Sequence, residues 1–148
     1  MTFHIGITAT RLGVTGPQAK AILDVLRYNA MTKDLVGLCM HQGCCVGGDE
    51  QITIMAATLG TIPIVAYPPT IKTYESKLAV ALSSTIMADQ DYLVRNQSIV
   101  DASDLLIVAP KGDRQRLRSG TWSTYRYAIK SNVETLVILP DGSYFKEK

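Results

Sequence analysis

The sequence predicts an α/β fold, a three-layer Rossmann-like sandwich around a mainly parallel five-stranded sheet. Five short runs are almost continuously apolar, which is typical of strands buried on both faces rather than on one. Helical patterns lie between these runs, and right-handed crossovers then give a parallel sheet covered by helices. The predicted strands are residues 3–8 (FHIGIT), 35–40 (LVGLCM), 62–67 (IPIVAY), 105–109 (LLIVA) and 135–139 (TLVIL).

Four helices are predicted between the strands. The first begins near Pro17, whose missing N–H suits an initial helical position, and it carries an apolar stripe at helical spacing. The second begins at Asp49, a favourable N-cap, and ends at Gly60. The third covers residues 91–102, and the fourth begins at Gly120 or one residue earlier.

Two segments fit no regular pattern. Residues 77–87 are compatible with a helix or with a mobile lid, and Tyr74 and Glu75 just before them are expected in a surface loop. The tail, residues 141–148, is expected to be a solvated end. With no linker or repeat visible, residues 1–148 are expected to form a single domain.

Composition and charge exclude several classes of protein. Hydrophobic residues make up 47% of the 148 residues, and 15 basic against 13 acidic residues give a net charge of +2. Such a balance disfavours a protein that coats nucleic acid or anionic lipid. No apolar run reaches the roughly 20 residues that a membrane helix needs. Three cysteines (Cys39, Cys44 and Cys45) are a poor disulfide framework, so a cytoplasmic location is expected.

Polar, glycine-containing segments follow the predicted strands. Because ligands of open parallel sheets bind beyond the carboxyl ends of the strands, these segments are expected to converge on one anion-accepting cleft. The ligand-binding candidates taken from them are Thr8, Thr10, Arg11, Gly43, Gly47, Gly48, Asp49, Arg95, Asn96, Arg118, Ser119, Gly120 and Thr121.

The start of the fourth helix is the best candidate for binding phosphate. Glycine at Gly120 lets a ligand approach the backbone, and the free N–H groups of a helix start favour an anion. Ser119 and Thr121 offer hydroxyl groups, and Arg114, Arg116 and Arg118 lie just before them. A serine N-cap beside a solvated arginine loop explains the same residues without a ligand.

The loop 43–49 has the form G-x-x-x-G-G-D but matches neither standard nucleotide motif. No Gly-Lys-Ser/Thr follows, and G-x-G-x-x-G is absent after the first strand. Asp49 either caps the helix or accepts hydrogen bonds from sugar hydroxyls. The spacing of Cys39, His41, Cys44 and Cys45 lacks the paired cysteines of structural zinc sites, so neither a metal nor a cofactor is predicted.

These segments resemble the SLOG superfamily, especially its small single-domain YspA-like branch. The branch elements T-G-x-R, G-G-A-x-G-A-D, R-N and G-T correspond here to residues 8–11 (TATR), 43–49 (GCCVGGD), 95–96 (RN) and 120–121 (GT). Residues 118–128 (RSGTWSTYRYA) are similar to the DNA-processing protein A domain, a related member. The resemblance implies a Rossmann-like fold, a nucleotide-derived ligand and a homodimer.

Departures from the family patterns affect catalysis and ligand approach. The lonely-guy phosphoribohydrolases carry G-G-x-G-T-x-x-E, whereas Thr124 stands at the glutamate position here. The expected catalytic carboxylate is therefore missing, and Asp49 is the remaining candidate. Ala9, Cys44 and Cys45 replace smaller residues of the branch pattern at the turns.

Three functions follow as hypotheses. The first is binding of a nucleotide or nucleotide-derived phosphorylated ligand, as a sensor or sequestering protein. The second is an N-glycosidase acting on nucleoside 5′-monophosphates, with Asp49 activating water. The third is single-stranded DNA binding, in which Trp122, Tyr125 and Tyr127 stack on bases beside the arginines.

Overall fold

A computed structural model describes residues 1–33, 37–60 and 62–148. Its strands are β1 (Phe3–Ala9), β2 (Leu38–Gln42), β3 (Ile64–Ala66), β4 (Thr85–Ile86), β5 (Leu105–Ala109), β6 (Glu134–Ile138) and β7 (Tyr144–Glu147). Its helices are α1 (Gly16–Thr32), α2 (Gly48–Leu59), α3 (Lys77–Ala81), α4 (Tyr92–Asp101) and α5 (Gly120–Lys130). Within the described residues the strands form one sheet in the order β4-β3-β2-β1-β5-β6-β7.

The predicted α/β class with a mostly parallel sheet is confirmed, whereas the predicted number of strands is wrong. All neighbouring strands pair in parallel except β6 and β7, which are antiparallel. Each predicted strand has a counterpart, and β5 has the predicted bounds. Residues 35 and 36 of the predicted second strand lie outside the described residues.

The two additional strands, β4 and β7, stand at the edges of the sheet. Strand β4 has two residues and β7 has four, all of them exposed, so neither forms an apolar run. The tail is therefore not the solvated end that the sequence suggested. It turns back at Gly142, whose φ is +87°, and pairs with β6 from Ile138↔Tyr144 to Thr135↔Glu147.

Local sequence signals explain where the helices begin and end. Thr15 and Gln18 form a reciprocal capping box at the start of α1, with Pro17 in the first turn as predicted. Gly60 ends α2 in the left-handed conformation, also as predicted. The predicted N-cap of α2 is wrong, because Gly47 occupies that position and Asp49 lies inside the first turn. Of residues 77–87, the helix α3 covers 77–81.

Apolar side chains cover both faces of the sheet. Ile5, Ile7 and Met40 pack with Ile22 of α1 and Ile52 of α2 in one fully buried cluster. On the opposite face, alternate strand residues pack with α4 and α5 in a second cluster, which includes Leu106, Val108, Val137, Ile99, Trp122 and Tyr125. No helix of the described ranges combines the length and apolar character that a bilayer span requires.

The order of the strands creates a crevice between β1 and β5. Helices α1 and α2 pack on one face, whereas α4 and α5 pack on the other. Since β1 is hydrogen-bonded to β2 on one side and to β5 on the other, the loops that leave β1 and β5 turn toward opposite faces. Ligands of open α/β sheets bind where neighbouring loops diverge in this way. The Thr10 N–H donates to the Ala109 carbonyl at 3.0 Å across the base of this crevice.

Candidate functional site

The loop after β1 folds onto the start of α2. The Thr10 carbonyl accepts the N–H of Gly48 at 2.9 Å, and the Thr10 hydroxyl accepts the N–H of Leu12 at 3.2 Å. Thr8 lies in β1, two residues before Thr10. It pairs with Val108 of β5 and is partly buried. These bonds bring the first two predicted segments together and leave the Arg11 side chain exposed at the edge of the sheet.

Gly47 and Gly48 are required by this contact between the two loops. Gly47 has a φ of +83°, and a Cβ built on it would lie 2.1 Å from the Arg11 carbonyl oxygen. A Cβ on Gly48 would lie 2.4 Å from the Cβ of Ala9. The sequence predicts that these glycines admit a ligand to the backbone. In the structure, the β1–α1 loop packs against these glycines and fills the space that a ligand would need.

Arg95 points into the protein and holds the β2–α2 loop. The residue is 4% exposed, and its guanidinium donates to the carbonyl of Gly43 and, at 3.3 Å, to that of Tyr67. Its Nε donates to Oδ1 of Asn96, the second residue of the predicted pair, at 2.7 Å. The structure therefore gives Arg95 a positioning role, and its contact with phosphate stays a prediction.

Asp49 belongs to the same buried network. The residue is 6% exposed and its carboxylate accepts the N–H of Cys45 at 3.3 Å. Burial raises the pKa of Asp49 to about 6, against the opposing effects of the Arg95 charge and the N–H groups of Cys45 and Gly43. This carboxylate organises the loop that it follows, and its proposed role as a catalytic base stays a prediction.

The stability of the protein should therefore depend on ionisation of Asp49. The pKa of Asp49 in the folded protein, about 6, lies above its ordinary value of 3.8. The stability that the protonated carboxyl contributes is therefore fully present below pH 4 and is lost as the pH rises through 6. As the pH rises from 4 to 7, we expect the free energy of unfolding of Asp49→Asn to increase relative to that of wild type by on the order of 3 kcal/mol. Urea unfolding at each pH measures the difference.

A second carboxyl variant separates this effect from a general change of charge. Asp24→Asn removes a negative charge from the exposed surface of α1 and serves as the control. If Asp49→Asn instead loses stability relative to wild type as the pH rises, attraction to Arg95 outweighs the desolvation of the carboxylate.

The cysteines that replace small residues of the family pattern do not obstruct the crevice. Cys44 is fully buried and Cys45 is 6% exposed, so both thiols point into the protein. Cys44 adopts a φ of +64°, a left-handed conformation that favours glycine. Two bonds hold it there, since its N–H donates to Oε1 of Gln42 at 2.6 Å and its carbonyl accepts the Ser76 N–H at 2.7 Å.

The segment 70–76 contributes a residue that sequence reasoning placed in an ordinary surface loop. The Tyr74 carbonyl accepts the N–H of Val46 at 2.8 Å, which attaches the segment to the β2–α2 loop. The Tyr74 ring then lies under the Arg11 guanidinium, 4.0 Å from ring centroid to Cζ. This cation–π contact holds Arg11 at the crevice. No local sequence signal joins residues so far apart.

The start of α5 is open around Gly120. Ser119 is the N-cap and its hydroxyl accepts the N–H of Trp122 at 3.3 Å. No atom outside the neighbouring backbone lies within 4 Å of a Cβ built on Gly120. Within the described residues, the N–H groups of Gly120 and Thr121 have no hydrogen-bond acceptor. Two donors therefore lie without acceptors at the positive end of the helix dipole, on an exposed residue at Gly120 and on a buried one at Thr121.

Positive charge collects around this helix start. Arg114, Arg116 and Arg118 are exposed in the β5–α5 loop, together with Lys111. Arg126 anchors the loop, donating at 3.3 Å both to Oε1 of Gln115 and to the carbonyl of Leu117. Among the described residues, none of the four loop cations forms an ion pair within 4.0 Å.

The structure thus joins three predicted segments directly and leaves the fourth across the crevice. Hydrogen bonds link the loops after β1 and β2 to each other and to α4, whereas the α5 start follows β5 on the other side. Trp122 and Tyr125 are 3% and 6% exposed in the core, so neither ring can stack on a nucleic-acid base. A groove of about 840 Å³ between α1 and the β6–β7 hairpin is lined by none of the predicted ligand-binding residues.

Comparison with known proteins identifies the fold. The chain matches a molybdenum cofactor binding protein from Rippkaea orientalis with a TM-score of 0.68 and 17% identity, covering 93% of this chain and 76% of that one. It matches DNA processing protein A from Helicobacter pylori, described for its single-stranded DNA binding mode, with a TM-score of 0.64 and 19% identity over 95% and 69%. It also matches a Moco carrier protein from Chlamydomonas reinhardtii with a TM-score of 0.64 and 13% identity over 93% and 76%.

These likenesses show a shared fold. No family model matches the chain, and no curated protein matches it either. The fold shared with DNA processing protein A agrees with the resemblance drawn from the sequence, since that protein was one of the relatives named there.

Proposed function

We propose that the protein binds a phosphorylated small molecule, a nucleotide or a nucleotide-derived signal, in the crevice between β1 and β5. The observation that carries the proposal is the open start of α5. The N–H groups of Gly120 and Thr121 are without acceptors in the described structure and lie beside exposed arginines. Helix starts with free N–H groups are favourable sites for phosphate.

Residues on the other side of the crevice complete the proposed site. Arg11 is exposed and held over Tyr74, and it supplies a planar guanidinium for a second contact with phosphate. The Tyr74 ring, which is 44% exposed, offers a flat apolar surface for a heterocycle. Arg95 and Asp49 support this arrangement from inside the loop. We also propose that the chain is a member of the SLOG superfamily.

The solved structures suggest a second ligand class for the same crevice. Two of the similar proteins are named for binding or carrying the molybdenum cofactor. We therefore propose that cofactor as a second candidate ligand of the crevice between β1 and β5.

Binding can be tested with matched ligands that differ in phosphate alone. We expect AMP or ADP to raise the melting temperature and adenosine to leave it unchanged, because the site recognises the anion. A ligand at a hundred times its Kd adds about 2.7 kcal/mol, which corresponds to about 5–10 °C for a chain of this size. Molybdenum cofactor is tested in parallel by co-purification.

Variants locate the ligand. We expect Arg11→Ala to weaken the affinity for the responding phosphorylated ligand about 10-fold to 100-fold, because a charge-assisted hydrogen bond is lost. Arg27→Ala removes an exposed arginine from α1 and is the matched control, with affinity unchanged. Equal binding of phosphorylated and unphosphorylated ligands, or no response to any of them, would refute the proposal.

A further inference from the structure

A cluster of imidazole and thiol groups lies on the sheet away from the proposed crevice. The ligand atoms of His4, Cys39 and His41 all lie within 4.8 Å of one another. The register of the sheet brings them together, since His4 of β1 pairs with Cys39 of β2, and His41 is two residues further along the same face. His4 and His41 are 37 positions apart, so sequence spacing cannot show the cluster.

From this geometry we infer that His4, Cys39 and His41 form a binding site for one thiophilic first-row transition-metal ion, with Zn²⁺ as its simplest occupant. The sequence alone predicted no metal. Its candidates included Cys44 and Cys45, which lie in the β2–α2 loop, and omitted His4.

A tetrahedral ion requires rotation of the side chains, whose three ligand atoms lie within 4.8 Å of one another. Nδ1 of His4 and Nε2 of His41 are 2.8 Å apart and point at each other. Zinc bonds of about 2.0–2.1 Å to nitrogen and 2.3 Å to sulfur place ligand atoms about 3.3–3.6 Å apart. The two imidazoles must therefore separate by about half an ångström, which the partly exposed His4 allows.

A neighbouring hydroxyl fixes the orientation of His41. Its Nδ1 lies 2.8 Å from the Tyr67 hydroxyl, so Nε2 is left to face the cluster. Metal-bound histidines commonly donate their other ring N–H to such a partner, which fixes both the tautomer and the ring angle.

The charges balance when an ion binds. The Cys39 thiol loses its proton to solvent as the sulfur–metal bond forms, and one imidazole moves its proton to the nitrogen that does not coordinate. The bound ion and thiolate carry a net charge of +1, which the Asp104 carboxylate opposes. That carboxylate accepts the backbone N–H of His4 at 2.8 Å. The fourth coordination position stays open for water or an exogenous ligand.

Cobalt provides a direct test on the untagged, chelator-stripped and reduced chain. We expect one equivalent of Co²⁺ to produce a thiolate-to-cobalt charge-transfer band, and Zn²⁺ to abolish that band by competition. Cys39→Ser should lose the band and weaken Zn²⁺ affinity by at least about 100-fold. Cys45→Ser removes a buried thiol outside the cluster and should retain both.

Two further variants make the result independent of any folding defect in Cys39→Ser. His4→Ala alters a partly exposed residue and should reduce Zn²⁺ affinity at least about 10-fold. Tyr67→Phe keeps the ring and removes the hydroxyl, and should reduce it about 10-fold to 100-fold. Absence of the band, an equal band in Cys39→Ser, or unchanged affinity in His4→Ala would overturn the inference. None of these outcomes depends on whether AMP binds.

Discussion

Arg95→Ala should cost the protein about 3–5 kcal/mol of its free energy of unfolding at pH 7, because a buried charge network loses the guanidinium at its centre. The variant removes the donors to the carbonyls of Gly43 and Tyr67 and leaves the Asp49 carboxylate without its attractive neighbour. Domains of this size have about 5–15 kcal/mol in all. Urea unfolding followed by circular dichroism measures the loss.

Arg126→Ala is the matched control for this experiment. Arg126 is a helical arginine with two 3.3 Å bonds to an exposed loop, and exposed interactions of this kind contribute about 0–1 kcal/mol. Arg95→Lys should fall between the two variants, because an ammonium group retains the charge but cannot span both carbonyl acceptors.

A small effect would change the assignment of Arg95. If Arg95→Ala unfolds within about 1 kcal/mol of wild type, its guanidinium is not the clamp of the β2–α2 loop. Loss of affinity for AMP without loss of stability would then return Arg95 to the phosphate-binding role that the sequence predicted.

Buried strands could be predicted from the sequence, whereas exposed edge strands could not. Strand β5 was predicted with its observed bounds because all five of its residues are buried and apolar. Strand β7 was missed because its four residues are exposed, although Pro140-Asp141-Gly142 before it is a strong turn signal. Strand β4 has two exposed residues and no turn signal, so its pairing with β3 depends on tertiary contacts alone.

The candidate site shows a different limit, which concerns the direction of side chains. Sequence reasoning placed Arg95 near the β2–α2 loop, and the structure places it there too. The helical spacing itself indicates its inward direction, since Arg95 lies four residues before Ile99 on the buried stripe of α4. The contact between Arg11 and Tyr74 had no such signal, because it depends on how segment 70–76 folds back.

Gly47→Ala should be among the most damaging single-atom additions in the chain, costing about 3 kcal/mol or more. The added methyl must sit 2.1 Å from the Arg11 carbonyl oxygen, and that oxygen belongs to a backbone that cannot rotate away. The backbone at Gly47, with a φ of +83° and a ψ of −123°, adds strain of its own for a residue with a Cβ, about 1–3 kcal/mol. Because the β1–α1 loop must move, Arg11 should leave its place and AMP affinity should fall.

Gly60→Ala is the control for a positive φ without a close approach. Gly60 has a φ of +77° and a ψ of −8°, in the left-handed region, and no other atom lies within 4 Å of its Cβ position, so its substitution should cost about 1–2 kcal/mol from backbone strain alone. The excess cost of Gly47→Ala then comes from the close approach of the two loops together with the ψ of −123° at Gly47, and ligand affinity should fall for Gly47→Ala alone. Equal costs at the two positions would mean that the β1–α1 loop is free to yield. A β1–α1 loop that moves so easily would not hold Arg11 in position to bind phosphate.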